Sequence, residues 1–126
     1  MSKTLAYFGA VLCALVVLGG AKPAMAGAYG ALATSPEADF GYAYNYDDAD
    51  EARSRALSEC RKHSSACEVK GTFQDTCVSI AKADNGAMGW AWGHGKSEDD
   101  DLAMTTCRNN KGRGCELSVR FCTGSP

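Results

Sequence analysis

Aromatic side chains alternate with small residues in two short segments of the chain, and they are the residues best suited to contact a ligand. The segments are Phe40–Tyr46 and Met88–His94. Alternate residues of a β-strand point to the same face, so each segment would present its large side chains on one side. Such surfaces bind sugar rings, peptides or proteins. The candidate binding residues are Tyr42, Tyr44, Tyr46, Trp90, Trp92 and His94.

The same aromatic residues could instead form the core, and the sequence leaves both possibilities open. The opposite face of each segment carries only glycine, alanine or asparagine, against which a helix could pack closely. If helices cover that face, the aromatic face would be a platform open to water. Large aromatic side chains are, however, mostly buried in folded proteins.

His94 could take part in acid–base chemistry. The acidic run Glu98–Asp101 follows it closely, and Asp99 or Asp101 could orient its imidazole ring. A hydrolase would also need a nucleophile or an activated water, and the chain has no G-x-S-x-G motif. We therefore expect a protein without enzymatic activity, with hydrolysis by His94 as an alternative.

The acidic run Glu98–Asp101 does not have the spacing of a metal site. EF-hand loops place oxygen ligands at alternate positions around a central glycine, whereas these four acids are consecutive. Negative charge stabilises the positively polarised start of a helix, which predicts a solvated helix N-terminus here. His63 and His94 are not paired at ligand spacing, and no glycine-rich phosphate loop is present. We expect no metal and no cofactor.

The first 26 residues have the features of a cleavable signal peptide. Lys3 precedes an almost continuously apolar run over residues 5–18, and Ala26 ends a small-x-small cleavage site. The run is shorter than the roughly 20 residues of a membrane-spanning helix, although a membrane anchor is the alternative. We therefore expect export to the periplasm or the extracellular space. The exported domain would span residues 27–126, with no stable membrane anchor after cleavage.

Six cysteines follow the signal peptide, and an even number in a short exported chain predicts disulfides. No two of them are as close as the paired ligands of a zinc site. The signal peptide removes two lysines, so 11 of the 13 basic residues remain against 15 acidic ones, a net charge of −4. This balance provides no basic surface for nucleic acid.

The exported domain contains an internal duplication. Phe40–Tyr46 aligns with Met88–His94 at an offset of 48 residues, and Cys67 aligns with Cys115 at the same offset. Internal similarity of this kind indicates repeated structural units. We expect the two units to complete one pseudo-symmetric domain. The repeats extend over about residues 29–76 and 77–122.

Each repeat is predicted to fold as ββαβ. Small residues at helical spacing predict helices over residues 50–60 and 97–107, the second with Ser97 as its N-cap. Alternating apolar residues predict closing strands over residues 67–73 and 115–121. The predicted fold class is therefore α+β: two tandem ββαβ repeats form one antiparallel-sheet domain with two helices, stabilised by disulfides.

The duplication also restricts the disulfide pairing, for which six cysteines allow fifteen arrangements. Equivalent bridges in the two repeats would tie the end of each helix to the strand that follows. Cys77 and Cys122 would then remain as equivalent positions and would join the two halves. The predicted disulfides are Cys60–Cys67, Cys107–Cys115 and Cys77–Cys122.

The combined pattern resembles a bacterial family known as domain of unknown function 4189. The residues that carry it are Tyr29-Gly30-Ala31, Gly41–Tyr46, an alanine-rich helix ending in Cys60, and Gly89–Gly93. The resemblance covers essentially the whole exported domain and implies a small exported protein, without a known activity or catalytic residue. The chain departs from the family in its second helix, where Asp99 and Asp100 replace an alanine-rich stretch.

These features predict a small secreted or periplasmic cysteine-rich protein that binds a partner and does not catalyse a reaction. The expected partner is a protein, as for an inhibitor or a secreted effector. Binding of an envelope glycan is the alternative, in which Trp90 and Trp92 would stack on sugar rings. A small hydrolase using His94 is the third possibility.

Overall fold

A computed structural model describes residues 27–125 of the chain. The predicted signal peptide, residues 1–26, lies outside this range. The order of elements is ββαβ twice, as the duplication predicts. The elements are β1 (Tyr29–Thr34), β2 (Phe40–Tyr46), α1 (Ala49–Arg61), β3 (Glu68–Gln74), β4 (Thr76–Lys82), β5 (Met88–Trp92), α2 (Lys96–Asn109) and β6 (Glu116–Thr123).

Each repeat builds its own three-stranded antiparallel sheet. The strand order is β2-β1-β3 in the first sheet and β5-β4-β6 in the second. The central strands β1 and β4 contribute Leu32 and Ile80, which are 48 residues apart and fully buried. The predicted α+β class with paired repeats is therefore confirmed.

The main core lies between the two sheets. Leu32 and Phe73 of the first sheet pack with apolar residues of the second, and smaller alanine-rich clusters lie beneath each helix. The molecule is thus a four-layer sandwich in the order helix, sheet, sheet, helix. The second sheet contributes Val78, Ile80, Met88 and Phe121 to the main core.

A glycine in each sheet lets the helix above it pack closely. A β-carbon on Gly41 would overlap the backbone of Ala56 and Cys60 in α1, and one on Gly89 would overlap the backbone of Ala103 in α2. The helices therefore cover the face that carries the small residues.

The large side chains from Phe40 to Tyr44 and from Met88 to Trp92 consequently point toward the space between the sheets. Tyr46 does not, because the pairing of β2 with β1 is irregular beyond Ala43, and Tyr46 packs against the alanine cluster beneath α1. The prediction that Tyr46 shares a face with Tyr42 and Tyr44 was wrong.

The start of α2 differs from the prediction. The helix begins at Lys96 and its N-cap is Gly95, so the assignment of Ser97 as N-cap was wrong. Gly95 has a φ of 105°, a conformation that favours glycine. No side chain caps the first turn of α2; the carboxylate of Asp99 instead accepts from the backbone N–H of His94, the residue before the N-cap.

Strand β6 departs from the predicted alternation near its start. Val119 pairs with Ile80, but Leu117 pairs with Ala81, so the register shifts by one residue between them. This β-bulge places Leu117 on the same face as Ala81 instead of the inter-sheet face. Leu117 is therefore 46% exposed.

The disulfides are Cys60–Cys67, Cys77–Cys122 and Cys107–Cys115, the pairings that the duplication predicts. The interpretation of Cys77–Cys122 as a bridge between the halves was wrong. Cys77 and Cys122 face each other on β4 and β6 within the second sheet. Their equivalents in the first sheet, at an offset of 48, are Tyr29 and Gln74, which face each other on β1 and β3.

The disulfides also bear on the compartment of the protein. Three bridges within one short domain indicate an oxidising environment outside the cytoplasm. Within residues 27–125, no helix is both long enough and apolar enough to cross a membrane.

Candidate functional site

The aromatic residues of β2 and β5 that face the other sheet differ in exposure along each strand. Tyr42 and Trp90 pack at the margin of the inter-sheet core and are partly buried. Two residues further along, Tyr44 is 50% exposed and Trp92 is 44% exposed. The sequence left open whether the aromatic residues form the core or an exposed platform. Tyr42 and Trp90 belong to the core, whereas Tyr44 and Trp92 reach solvent.

Each exposed ring rests on a phenylalanine from the other repeat. Trp92 meets Phe73 edge to face, with ring centroids 5.0 Å apart. At the equivalent place, the ring of Tyr44 lies 6.5 Å from that of Phe121. Phe73 and Phe121 themselves are 6.2 Å apart. These contacts cross between the sheets and hold Tyr44 and Trp92 in defined orientations.

The edge strands of each sheet differ in the protection of their free backbone groups. Proteins commonly protect exposed edges with charged residues, proline or bulges. Strands β3 and β6 carry charged residues, including Lys70 and Arg120, whereas β2 and β5 contain neither a charge nor a proline, and the pairing of β2 becomes irregular only beyond Ala43. Within residues 27–125, no strand pairs with the outer side of β2 or β5. The unprotected edges are therefore the ones with exposed aromatic rings.

A groove of about 360 Å³ runs between the edge of β5 and helix α2. We call it the β5 groove. Besides Trp92, it exposes Leu102 of α2, of which 38% is accessible to solvent. Its walls are consequently apolar over most of their length. The lining residues are Trp90, Ala91, Trp92, His94, Leu102 and Thr106.

The equivalent groove of the first repeat has a volume of about 610 Å³ and runs along the whole of β2. We call it the β2 groove. Helix α1 contributes Arg55 and Glu59 to it, and the turn after the helix contributes His63. At an offset of 47, Arg55 and Glu59 correspond to Leu102 and Thr106 of the β5 groove. The duplication has thus produced one charged groove and one apolar groove.

His94 is held beside the β5 groove by a buried carboxylate. Asp99 is 1% exposed, and it lies 2.9 Å from Nδ1 of His94 and 3.3 Å from its backbone nitrogen. The imidazole itself is half exposed. The equivalent residue in α1 is Ala52, which is fully buried among other alanines. Of the two acids that the sequence offered, Asp99 and Asp101, the structure pairs Asp99 with His94.

The hydrogen bond to Asp99 raises the pKa of His94, and the negative charges of Asp99 and Glu98 act in the same direction. This arrangement favours the imidazolium form and leaves Nε2 pointing away from Asp99. The arrangement can orient a proton donor toward a bound molecule. Hydrolysis would require a nucleophile beside it.

The nearby hydroxyl of Ser79 is committed to another network. Ser79 is fully buried, donates to Asp100 at 2.6 Å and accepts from Arg120 at 2.8 Å. The hydrogen bonds from Lys96 and Ser79 lower the pKa of Asp100. These contacts connect α2 to β4 and β6, so the network supports the position of the helix rather than the chemistry of His94.

The comparison of the chain with protein families identifies its relatives. A sequence model of the family described as Domain of unknown function (DUF4189) matches residues 29–122. The chain belongs to the DUF4189 family. The match spans both repeats, and therefore both grooves of the DUF4189 domain. Comparisons with curated proteins and with solved structures gave no match.

The predicted binding residues of this DUF4189 domain fall into two groups rather than on one platform. Sequence reasoning missed Leu102, although a signal was present: an exposed helix position carries Leu102 in one repeat and Arg55 in the other. Comparison of the two helices at that offset would have found it. The β2 groove contains Tyr42, Tyr44 and Tyr46, and the β5 groove contains Trp90, Trp92 and His94.

We expect Asp99→Asn to lower the pKa of His94 in the DUF4189 domain, because the variant removes the negative charge that stabilises the imidazolium. The pKa is measured from the pH dependence of the imidazole proton signals by NMR. Identical titration curves in the wild type and the variant would contradict the contact.

The same contact predicts how stability depends on pH. The folded-state pKa of His94 lies above the value of about 6.5 expected for the unfolded chain. Its contribution to the free energy of unfolding is therefore fully present below that value and is lost as the pH rises through the folded-state pKa. We expect the stability difference between the wild type and His94→Gln to shrink as the pH increases, measured by urea unfolding.

Proposed function

We propose that this DUF4189 domain is a non-catalytic binding protein whose partner is another protein, and that the partner inserts an apolar side chain into the β5 groove. The observation that carries the proposal is the exposure of Trp92 and Leu102 beside an unprotected strand edge. Tryptophan side chains in such positions often dominate the binding energy of an interface. The free edge also offers backbone groups to an extended segment of the partner.

The charges around the β5 groove support a partner with basic residues next to its apolar anchor. Glu98 and Asp101 are exposed in α2. Glu98 precedes Leu102 by one helical turn, so the two side chains are neighbours on the helix surface. The nearby cation Lys96 is already paired with Asp100 at 2.7 Å. Complementary charge accelerates association and favours the correct partner.

The lining of the groove favours a protein side chain over a sugar ring. A sugar that stacks on Trp92 would leave hydroxyl groups that need hydrogen-bond partners. The opposite wall supplies the apolar Leu102 and one hydroxyl, from Thr106. Nδ1 of His94 is occupied by Asp99. We therefore prefer a protein partner and keep glycan binding as the alternative that the experiment below distinguishes.

Hydrolysis by His94 has less support than binding. Its oriented imidazole is a feature that enzymes use, but the hydrogen bonds of His94 go to Asp99 and to the backbone of Trp92. Asp99 also accepts from the backbone N–H of His94 and so holds the turn before α2, which gives the pair a structural role. We therefore interpret His94 as a polar contact for the partner.

A peptide selection with a matched variant tests the proposal. Random peptides displayed on phage are selected on the oxidised protein, expressed from the full chain, and the enriched peptides are titrated against the wild type and Leu102→Arg. This substitution installs the residue that α1 carries at the equivalent position. We expect the peptides to combine an apolar residue with Lys or Arg. Leu102→Arg should weaken their binding by at least about 10-fold, because it removes apolar contact and adds like charge.

Tyr44→Ala is the matched control, because it removes the exposed ring of the other groove. The affinity of the selected peptides should not change in this variant. Equal affinity for the wild type and Leu102→Arg would refute the assignment of the groove. Binding of purified peptidoglycan that depends on Trp92, without peptide binding, would replace the proposal by the glycan alternative.

A further inference from the structure

The β2 groove has a different lining from the β5 groove, and we infer that the free edge of β2 pairs with β2 of a second copy of this chain. The inference concerns the opposite repeat and does not depend on the partner proposed for the β5 groove. Two copies joined in this way would extend their three-stranded sheets into one continuous six-stranded sheet. The backbone groups on the outer side of β2 would then be paired.

The first argument is a line of charged residues on the side of α1 next to the groove. Arg55 and Glu59 line the β2 groove, and Glu51 lines the adjoining depression together with Arg55. Within one copy, Glu59 is paired with both Arg55 and Lys62, each at 3.0 Å, so that contacts to a second copy would extend these pairs into a network. Residues three and four apart lie on the same side of a helix. The four charges therefore alternate in sign along one line, beginning with the negative Glu51 and ending with the positive Lys62.

The second argument is that this line is complementary to itself in the antiparallel direction. A twofold axis through the middle of β2 would make the two β2 strands antiparallel, and the two α1 helices would run antiparallel beside them. Arg55 of one copy would then face Glu59 of the other, and Glu51 would face Lys62. Each contact occurs twice, because the interface uses the same surface on both copies.

The third argument is that the second repeat lacks this complementarity. At an offset of 47, the residues of α2 that correspond to the charged line are Glu98, Leu102, Thr106 and Asn109. This line has one negative charge and no positive charge, so two copies of it could not form ion pairs with each other. The two unprotected edges of the molecule are thus suited to different occupants, and only the edge of β2 fits a second copy.

A charge exchange between two variants tests this arrangement. In the first variant, Arg55→Glu and Lys62→Glu make the line entirely acidic. In the second variant, Glu51→Lys and Glu59→Lys make it entirely basic. The oxidised protein, expressed from the full chain, is examined by sedimentation equilibrium over a range of concentrations. We expect a wild-type dimer, an increase of at least about 10-fold in the dimer dissociation constant of each variant, and a heterodimer when the two variants are mixed.

The control reverses two charges at the other end of the molecule. Arg108→Glu with Lys111→Glu alters the end of α2 and the turn after it, outside both grooves, and its dimerisation should match that of the wild type. Near-UV circular dichroism establishes that every variant is folded, which is expected because the substituted side chains are exposed, apart from Glu59, which is partly exposed.

Hydrogen exchange provides a measurement that needs no substitution. Exchange of the β2 backbone amides should slow as the wild-type concentration increases, whereas exchange of the β5 amides should not. A wild-type protein that stays monomeric, a dimer that is unchanged in both variants, or a mixture of variants that remains monomeric would each overturn the inference. Protection of β5 instead of β2 would also overturn it.

Discussion

Gly89→Ala is expected to lower the free energy of unfolding by about 3 kcal/mol or more, as for the severe cases of overpacking. The added β-carbon would overlap the backbone of Ala103 and Cys107, so α2 would have to move away from its sheet. A crowded side chain can relieve an overlap by changing its rotamer, whereas the helix backbone at this position cannot. Domains of this size have a total stability of about 5–15 kcal/mol. Urea unfolding of the oxidised protein measures the loss.

Gly71→Ala is a suitable control for this prediction. Gly71 lies in β3, and an added β-carbon there would approach the ring of Phe73 instead of backbone. We expect a smaller loss of stability, because an aromatic ring can shift by a few tenths of an ångström. Wild-type stability in Gly89→Ala would mean that α2 does not cover the small-residue face of the second sheet.

Removal of the Cys77–Cys122 bridge is expected to lower the free energy of unfolding by about 4 kcal/mol by loop-entropy arithmetic. The bridge closes a loop of 45 residues that contains β5 and α2, the two walls of the β5 groove. The first sheet has no bridge at the equivalent place, where Tyr29 faces Gln74. The second repeat therefore depends on this bridge in a way that the first does not.

The double variant Cys77→Ala/Cys122→Ala tests this prediction by urea unfolding under oxidising conditions. Its control is Cys107→Ala/Cys115→Ala, which removes a bridge with a sequence separation of 8 residues. The same arithmetic gives a loss of about 2.5 kcal/mol for the shorter loop. Equal losses in the two variants would contradict the account of the longer bridge.

The order of elements could be predicted because it depends on local periodicity. Alternation in Phe40–Tyr46 indicates a strand, the spacing of Ala52, Ala56 and Cys60 indicates a helix, and the repeat reports both patterns twice. The disulfide pairing followed from the same equivalence. The location of Cys77–Cys122 does not follow from it, because Cys77 and Cys122 are not equivalent to each other: each corresponds to a residue of the first repeat 48 positions earlier.

The environment of the aromatic residues could not be predicted from local pattern. Periodicity places Tyr42 and Tyr44 on one face of a strand, but it does not state what covers that face. In the structure, the second sheet covers Tyr42, whereas Tyr44 extends past the core. The apolar β5 groove also escaped prediction, because Leu102 lies in a helix whose neighbouring residues are mostly charged or polar.

The most direct test of the proposed binding site is the fluorescence of Trp92 during titration with a selected peptide. In the variant Trp90→Phe, Trp92 is the only remaining tryptophan of the chain. We predict red-shifted emission that acrylamide quenches readily in the free protein, followed by a blue shift and protection when the peptide binds. Peptide binding that leaves the emission and quenching of Trp92 unchanged would contradict the assignment of the β5 groove as the binding site.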